Sequence, residues 1–71
     1  MTRLDIAILN YSRGIRYSID ALWDGDSVAV SAIIDGMEPI VSPAFDTLIE
    51  ATDALAAHIE NITEGEIWRA R

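Results

Sequence analysis

The chain has 71 residues, 51% of them hydrophobic, with five arginines and no lysine against twelve carboxylates, one histidine and no cysteine, for a formal charge of −7. That length fits a single small acidic domain, residues 1–71, with a thin core, and the missing cysteine excludes disulfides, thiol chemistry and Cys-ligated zinc. No apolar run approaches the roughly 20 residues a spanning helix needs, since Val28 to Ile34 is interrupted by Ser31; with Asp5 inside the first apolar run and no cleavage site, neither a membrane span nor a signal peptide is expected.

In chain order, Leu4 to Tyr11 is apolar, with Ile6, Ile8 and Asn10 on one parity, and reads as a first strand, with a short helix as the second option. Ser12-Arg13-Gly14 reads as a turn. Ile15 to Trp23 alternates, with Ile15, Tyr17, Ile19, Ala21 and Trp23 on one face, the pattern of a half-buried strand. Asp24-Gly25 predicts a two-residue type I′ hairpin turn. Ser27 to Ile34 follows as a strand with Val28, Val30, Ala32 and Ile34 inward. Its weakly polar second face (Ile33, with Leu22 on the neighbouring strand) suggests cover by a second copy of the chain. Asp35-Gly36 repeats the turn chemistry, and Met37 to Ser42 predicts a short edge or irregular strand because Pro39 cannot donate to a ladder.

The clearest element is a helix over 47–62. Thr47 with Glu50 three residues on forms a capping box, and Asp46 adds a favourable charge at the helix start. Leu48, Thr52, Leu55, Ile59 and Ile62 share one face, flanked by Ile49 and Ala56, and are expected against the sheet. Gly65 is the expected stop. Glu66 to Arg71 reads either as a last short strand or as a tail in which Trp68 packs. Strands before a helix indicate an α+β fold: three to four antiparallel strands followed by one amphipathic helix on one face.

Charge is distributed unevenly. The arginines are Arg3, Arg13, Arg16, Arg69 and Arg71, so from Tyr17 to Trp68 eleven carboxylates meet no Lys or Arg. Most soluble surfaces intersperse both signs, and a one-signed field repels nucleic acid and anionic membranes while attracting basic proteins. Glu50, Asp53, Glu60 and Glu64 form a row on the helix face opposite the apolar stripe. The loop acids Asp24, Asp26, Asp35 and Glu38 form a second expected cluster. Trp23, Met37 and Trp68 are candidate apolar anchors beside these acids; core packing is the alternative for both tryptophans, and the favoured one for Trp23, whose parity matches Ile15 and Ile19.

The hairpin at Asp24-Gly25, Val28-x-Val30-Ser31, Asp46-Thr47-Leu48-x-Glu50-Ala51 and Ala54-Leu55-x-x-His58-Ile59-Glu60 together resemble the HicB-like antitoxin fold over residues 15–60. That resemblance implies a short antiparallel sheet before a helix, and neutralisation of a small basic ribonuclease toxin. The sequence departs from the family in having Met37-Glu38-Pro39-Ile40 where a proline-glycine-rich connection is usual. With no appended DNA-binding module expected after residue 71, the antitoxin reading keeps toxin neutralisation and loses operator binding. In size, missing cysteine and lopsided charge the chain also resembles the small acidic anti-CRISPR proteins of phages. This implies a DNA-mimicking inhibitor in the cytoplasm of a bacterial host, bound to the nucleic-acid-binding surface of a CRISPR effector subunit. A structural dimerisation domain, a homodimer through the outer sheet face, is the third reading.

Enzyme templates are missing: no Gly-x-Ser-x-Gly, phosphate loop or His-Glu-x-x-His is present. The one histidine, His58, is expected as a half-buried residue beside the stripe, so no catalytic residue is assigned. Asp20, Asp24 and Asp26 crowd one hairpin, but Asp24-Gly25-Asp26 stops short of a calcium loop, and no metal or cofactor is expected. Arg13 and Arg16 with Tyr11 and Tyr17 make a small basic-aromatic patch holding too few cations for direct nucleic-acid binding.

Overall fold

The computed structural model describes the backbone of residues 1–69 and the side chains of residues 1–65. Five elements follow in order: α1 (Arg3–Ser12), β1 (Tyr17–Asp24), β2 (Ser27–Ile34), β3 (Ile40–Val41) and α2 (Leu48–Arg69). The expected α+β arrangement is present, a three-stranded antiparallel sheet followed by a helix, with one helix more than the sequence pattern indicated.

That extra helix occupies the segment expected as a first strand. Thr2 caps α1: the Asp5 amide donates to Thr2 Oγ1 at 3.2 Å, and the Thr2 amide donates back to the Asp5 carboxylate at 3.2 Å, closing a capping box. Leu4, Ala7, Ile8 and Ser12 are buried and Tyr11 half-buried, spaced i, i+3, i+4, i+7 and i+8 along one helix face. The Ile6/Ile8 alternation that suggested a strand is coincidental: Ile8 is fully buried and Ile6 is 49% exposed. Arg13 ends the helix in the left-handed region (φ 59°, ψ 42°), its amide donating to the Leu9 carbonyl.

The sheet order is β1-β2-β3. β1 begins at Tyr17, two residues later than expected, and pairs with β2 from Tyr17↔Ile34 to Asp24↔Ser27 without a bulge. Asp24 and Ser27 being paired, the hairpin turn is Gly25-Asp26, one residue later than expected. Gly25 has φ +62°, while Arg13 is the one non-glycine residue with positive φ among those described. Glycine at the first central position with positive φ there alone is the type II′ pattern, not type I′. At the other end of β2 the Met37 amide donates to the Ile34 carbonyl at 3.0 Å across Asp35-Gly36, with Gly36 at φ +78°.

β3 is short, and its two residues pair with Ser31 and Ala32. Beyond it the chain continues along β2 by other means. The Ser42 amide donates to the Val30 carbonyl, the Val30 amide donates to Ser42 Oγ (both 2.9 Å), and Val28 and Phe45 exchange two bonds of 2.8 Å. Pro39 and Pro43 bracket this interrupted edge. β2 is thereby paired on both sides, the central strand of the sheet.

Val28, Val30, Ala32 and Ile34 of β2 form one core wall, as expected; Leu4, Ala7 and Ile8 of α1 and Ala51, Leu55, Ala56 and Ile59 of α2 form the other. Thr52 and Ile62 are half-buried, whereas Leu48 and Ile49, expected against the sheet, are exposed. The cause is the position of the helices. α2 packs on β2 and α1 packs on α2, so the first turn of α2 is left beside β1, with Leu48 on a groove against Ile19 and Ala21. α2 also does not stop at Gly65. It continues to Arg69, so 66–69 form neither the strand nor the tail expected there, while residues 70–71 lie outside the described residues. Among the described residues no helix is long and apolar enough to cross a membrane.

Candidate protein-binding surface

β1 was expected to be half-buried; in the structure only Tyr17 is partly covered, and Ser18 to Asp24 are exposed. The alternation itself is real. Cross-strand pairing puts Tyr17, Ile19, Ala21 and Trp23 on the same face as Ile34, Ala32, Val30 and Val28. That face is covered over β2, where α2 packs, and open over β1 beyond Tyr17, whose hydroxyl reaches Asp5 of α1. Trp23 is 61% exposed, which removes core packing as its role.

The uncovered strip opens into a groove of about 280 Å³ lined by Thr2, Leu4, Ile19, Ala21, Val30 and Leu48, among others. A second depression shares Thr2, Leu4, Leu48 and Thr52 and extends the groove to Ile49 and Asp53. Ile49 is 75% exposed at its rim. This apolar trough between β1 and the first turns of both helices was not foreseen from the sequence. Its signal was the contrast between β2, weakly polar on both faces, and β1, which carries Asp20 and Asp24 on one: the first pattern belongs to a central strand, the second to an edge.

The acids do not form the two clusters expected. The two turns flanking β2 lie at its opposite ends, about 25 Å apart by strand rise, so Asp24 and Asp26 are separated from Asp35 and Glu38. The Val28–Phe45 bridge instead brings Asp46 to the Gly25-Asp26 end, and Glu50 stands in the first turn of α2. There Thr47 Oγ1 accepts from the Glu50 amide at 3.2 Å and donates to the Glu50 carboxylate at 2.9 Å. Asp24, Asp26 and Asp46 therefore share one end of the sheet with Trp23. Arg13 and Arg16 lie past the opposite end of β1.

The helix row is also altered, because α1 lies along it. Glu60 and Glu64 line a cleft with Ala7 and Asn10 of α1. Arg3 donates to Glu60 through Nε at 3.0 Å and through an Nη at 2.8 Å, the one ion pair among the described residues. These hydrogen bonds, more than the neighbouring charge, hold the Glu60 carboxyl below its ordinary value and the Arg3 guanidinium above its own, with Asp53 adding to the latter. Glu60 is thus neutralised, and the row of Glu50, Asp53, Glu60 and Glu64 is not the unrelieved one expected.

Asp5 is engaged as well. Tyr17 Oη donates to it at 2.6 Å and Thr2 Oγ1 at 2.7 Å, holding its carboxyl below and the Tyr17 phenol above their usual values. Among the other expected residues, Met37 is 40% exposed in the loop before β3. The side chain of Trp68 lies outside the described residues. His58 is exposed, not half-buried as expected, because α2 turns it away from both the sheet and α1. Among the described residues no three His, Asp or Glu side chains are placed to hold a metal ion together.

The chain matches no protein-family model, no curated protein and no solved structure.

Proposed function

We propose that the protein is a small acidic binding inhibitor that engages the cationic surface of a nucleic-acid-handling protein. The observation that carries this reading is the placement of Asp24, Asp26 and Asp46 at the end of the sheet that bears the exposed Trp23, remote from Arg13 and Arg16. Carboxylates without local counter-charge accelerate encounter with a basic partner, and a partly exposed tryptophan among them is the residue type that most often supplies binding energy. The contact is a compact acidic end, since Asp35 and Glu38 lie elsewhere and Glu60 is paired with Arg3. Among such partners, a CRISPR effector subunit is what the likeness to anti-CRISPR proteins suggests, and a small basic ribonuclease toxin is the alternative from the HicB-like pattern.

The test is capture from a bacterial lysate at low and high salt, comparing the native chain with a variant carrying Asp24→Lys, Asp26→Lys and Asp46→Lys. The expected result is a basic nucleic-acid-binding protein retained at low salt, released at high salt and lost with the variant. Capture that ignores the charge reversal refutes the reading. A second reading, dimerisation through the outer sheet face, is favoured by Leu22, Ile33 and Val41, which are exposed there on three adjacent strands. A monomer by light scattering at high protein concentration removes it.

A further inference from the structure

We propose that the open edge of β1 receives an extended segment of the basic partner as an added antiparallel strand, with apolar residues alternating with Lys or Arg. This rests on the acidic-inhibitor reading above and specifies how the partner is held. β1 is eight residues long, free of proline, lysine and bulges, and hydrogen-bonded only to β2 among the described residues. Shortness, proline, lysine and bulges are features by which natural edge strands resist pairing, and none of these is present here; the charges β1 does carry, Asp20 and Asp24, are both negative and repel other acidic strands.

The direction of the free backbone groups follows from one bond. The Asp35 amide donates to the Arg16 carbonyl at 3.0 Å, which makes Arg16 and Asp35 a hydrogen-bonded pair. Antiparallel ladders alternate, so Ser18, Asp20, Leu22 and Asp24 spend their amides and carbonyls on β2. Those of Tyr17, Ile19, Ala21 and Trp23 point off the edge. The same four side chains lie on the groove side of the sheet, where Leu48 and Ile49 are exposed.

An incoming strand bonded to those four residues directs its own bonded side chains into the groove, which calls for apolar residues. Its alternate side chains fall beside Ser18, Asp20, Leu22 and Asp24, where two carboxylates call for Lys or Arg. Backbone pairing supplies affinity and the two faces supply the sequence pattern. A second copy of this chain fits less well. Each copy carries −7, and a two-fold pairing centred on Asp20 sets that carboxylate against itself.

The probe is the capped octapeptide of alternating Lys and Val, titrated against the full chain carrying Trp68→Phe, so that Trp23 alone reports by fluorescence. Controls are a block peptide of the same composition (four Lys, then four Val), a version N-methylated at every Val and one N-methylated at every Lys. The expected result is at least tenfold tighter binding of the alternating peptide than of the block peptide. N-methylation at Val, whose amides face β1, abolishes that advantage, and N-methylation at Lys leaves it. Ala21→Pro, which deletes an outward amide and no β1–β2 bond, abolishes the preference with the far-UV spectrum unchanged; if that variant does not fold, the methylated peptides decide. Equal binding of all four peptides overturns strand addition and leaves the acidic reading standing. Binding of none, even at low salt, overturns both. A concentration-dependent dimer that Ala21→Pro dissolves assigns the edge to a second copy and overturns the proposal.

Discussion

Ile6 and Ile8 separate two accounts of the N-terminal segment by their mutational cost. In a strand they share a face and contribute alike. In α1 they are 200° apart: Ile8 is fully buried and Ile6 is 49% exposed. Ile8→Ala removes three buried carbons, worth ~0.8 kcal/mol each. The cavity left between α1, α2 and β2 raises the total to about 3–4 kcal/mol. A chain of this length has a total stability of roughly 4–11 kcal/mol, so the loss is a large fraction of it. Ile6→Ala gives up only half-exposed surface and gains a few tenths of a kcal/mol in helix propensity, for a net cost below about 1 kcal/mol. Urea denaturation followed by circular dichroism at 222 nm gives both values. Equal losses for the two variants, or a larger loss for Ile6→Ala, refute the helical register of α1 and the core built on it.

Other consequences are local. Ser42→Ala leaves the buried Val30 amide without the hydroxyl that accepts from it at 2.9 Å; it is expected to cost about 1–3 kcal/mol in urea denaturation and to speed hydrogen exchange at that amide. Arg13→Gly relieves a side-chain-bearing residue held at φ 59° and is expected to stabilise by about 0.5–1 kcal/mol, seen as a Tm increase of roughly 2–8 °C. Because the Glu60 carboxyl is held below its ordinary value in the folded state, its contribution is present above the unfolded value and lost as the pH falls through the lowered one. The stability difference between the native chain and Glu60→Gln should therefore be largest near neutrality and vanish under acid; a difference that grows under acid refutes the pairing. The Tyr17 phenol is held above its usual value by Asp5, so its contribution is present below the unfolded value, about 10, and lost as the pH rises through the raised one. Tyr17→Phe should remove that alkaline loss.

The parts of the fold legible in the sequence are those where one local signal dominates. β2 alternates and is apolar enough to be central, the Thr47–Glu50 cap marks the start of α2, and Leu55, Ala56 and Ile59 fall where a 3.6-residue period puts them. α1 was misread because its ten residues present two patterns at once. Ile6 and Ile8 mimic a strand, while Leu4, Ala7, Ile8 and Tyr11 carry the helical spacing that tertiary packing rewards. The Thr2–Asp5 capping box is the local signal that breaks the tie. Gly65 did not stop α2 because a glycine ends a helix only where the backbone turns left-handed; it has no positive φ here.

The candidate site was less legible, and the misreading of α1 is the reason. With a strand in its place, α2 has a free outer face, and Glu50, Asp53, Glu60 and Glu64 become a solvent-facing row. With a helix there, Arg3 reaches Glu60, and Glu64 borders the cleft beside Asn10. The helical α1 thus takes Glu60 out of the row, while Asp46 joins the expected Asp24 and Asp26 at the hairpin end. The exposure of β1 has a related origin. Alternation records which side chains share a face, and whether that face is covered depends on where the helices lie. With α2 on the middle strand and α1 packed on α2, Ile19, Ala21 and Trp23 have the composition of a core and the position of a surface. An apolar strip on an unpaired edge, in a chain otherwise so acidic, is the combination that a basic extended segment satisfies on both faces at once.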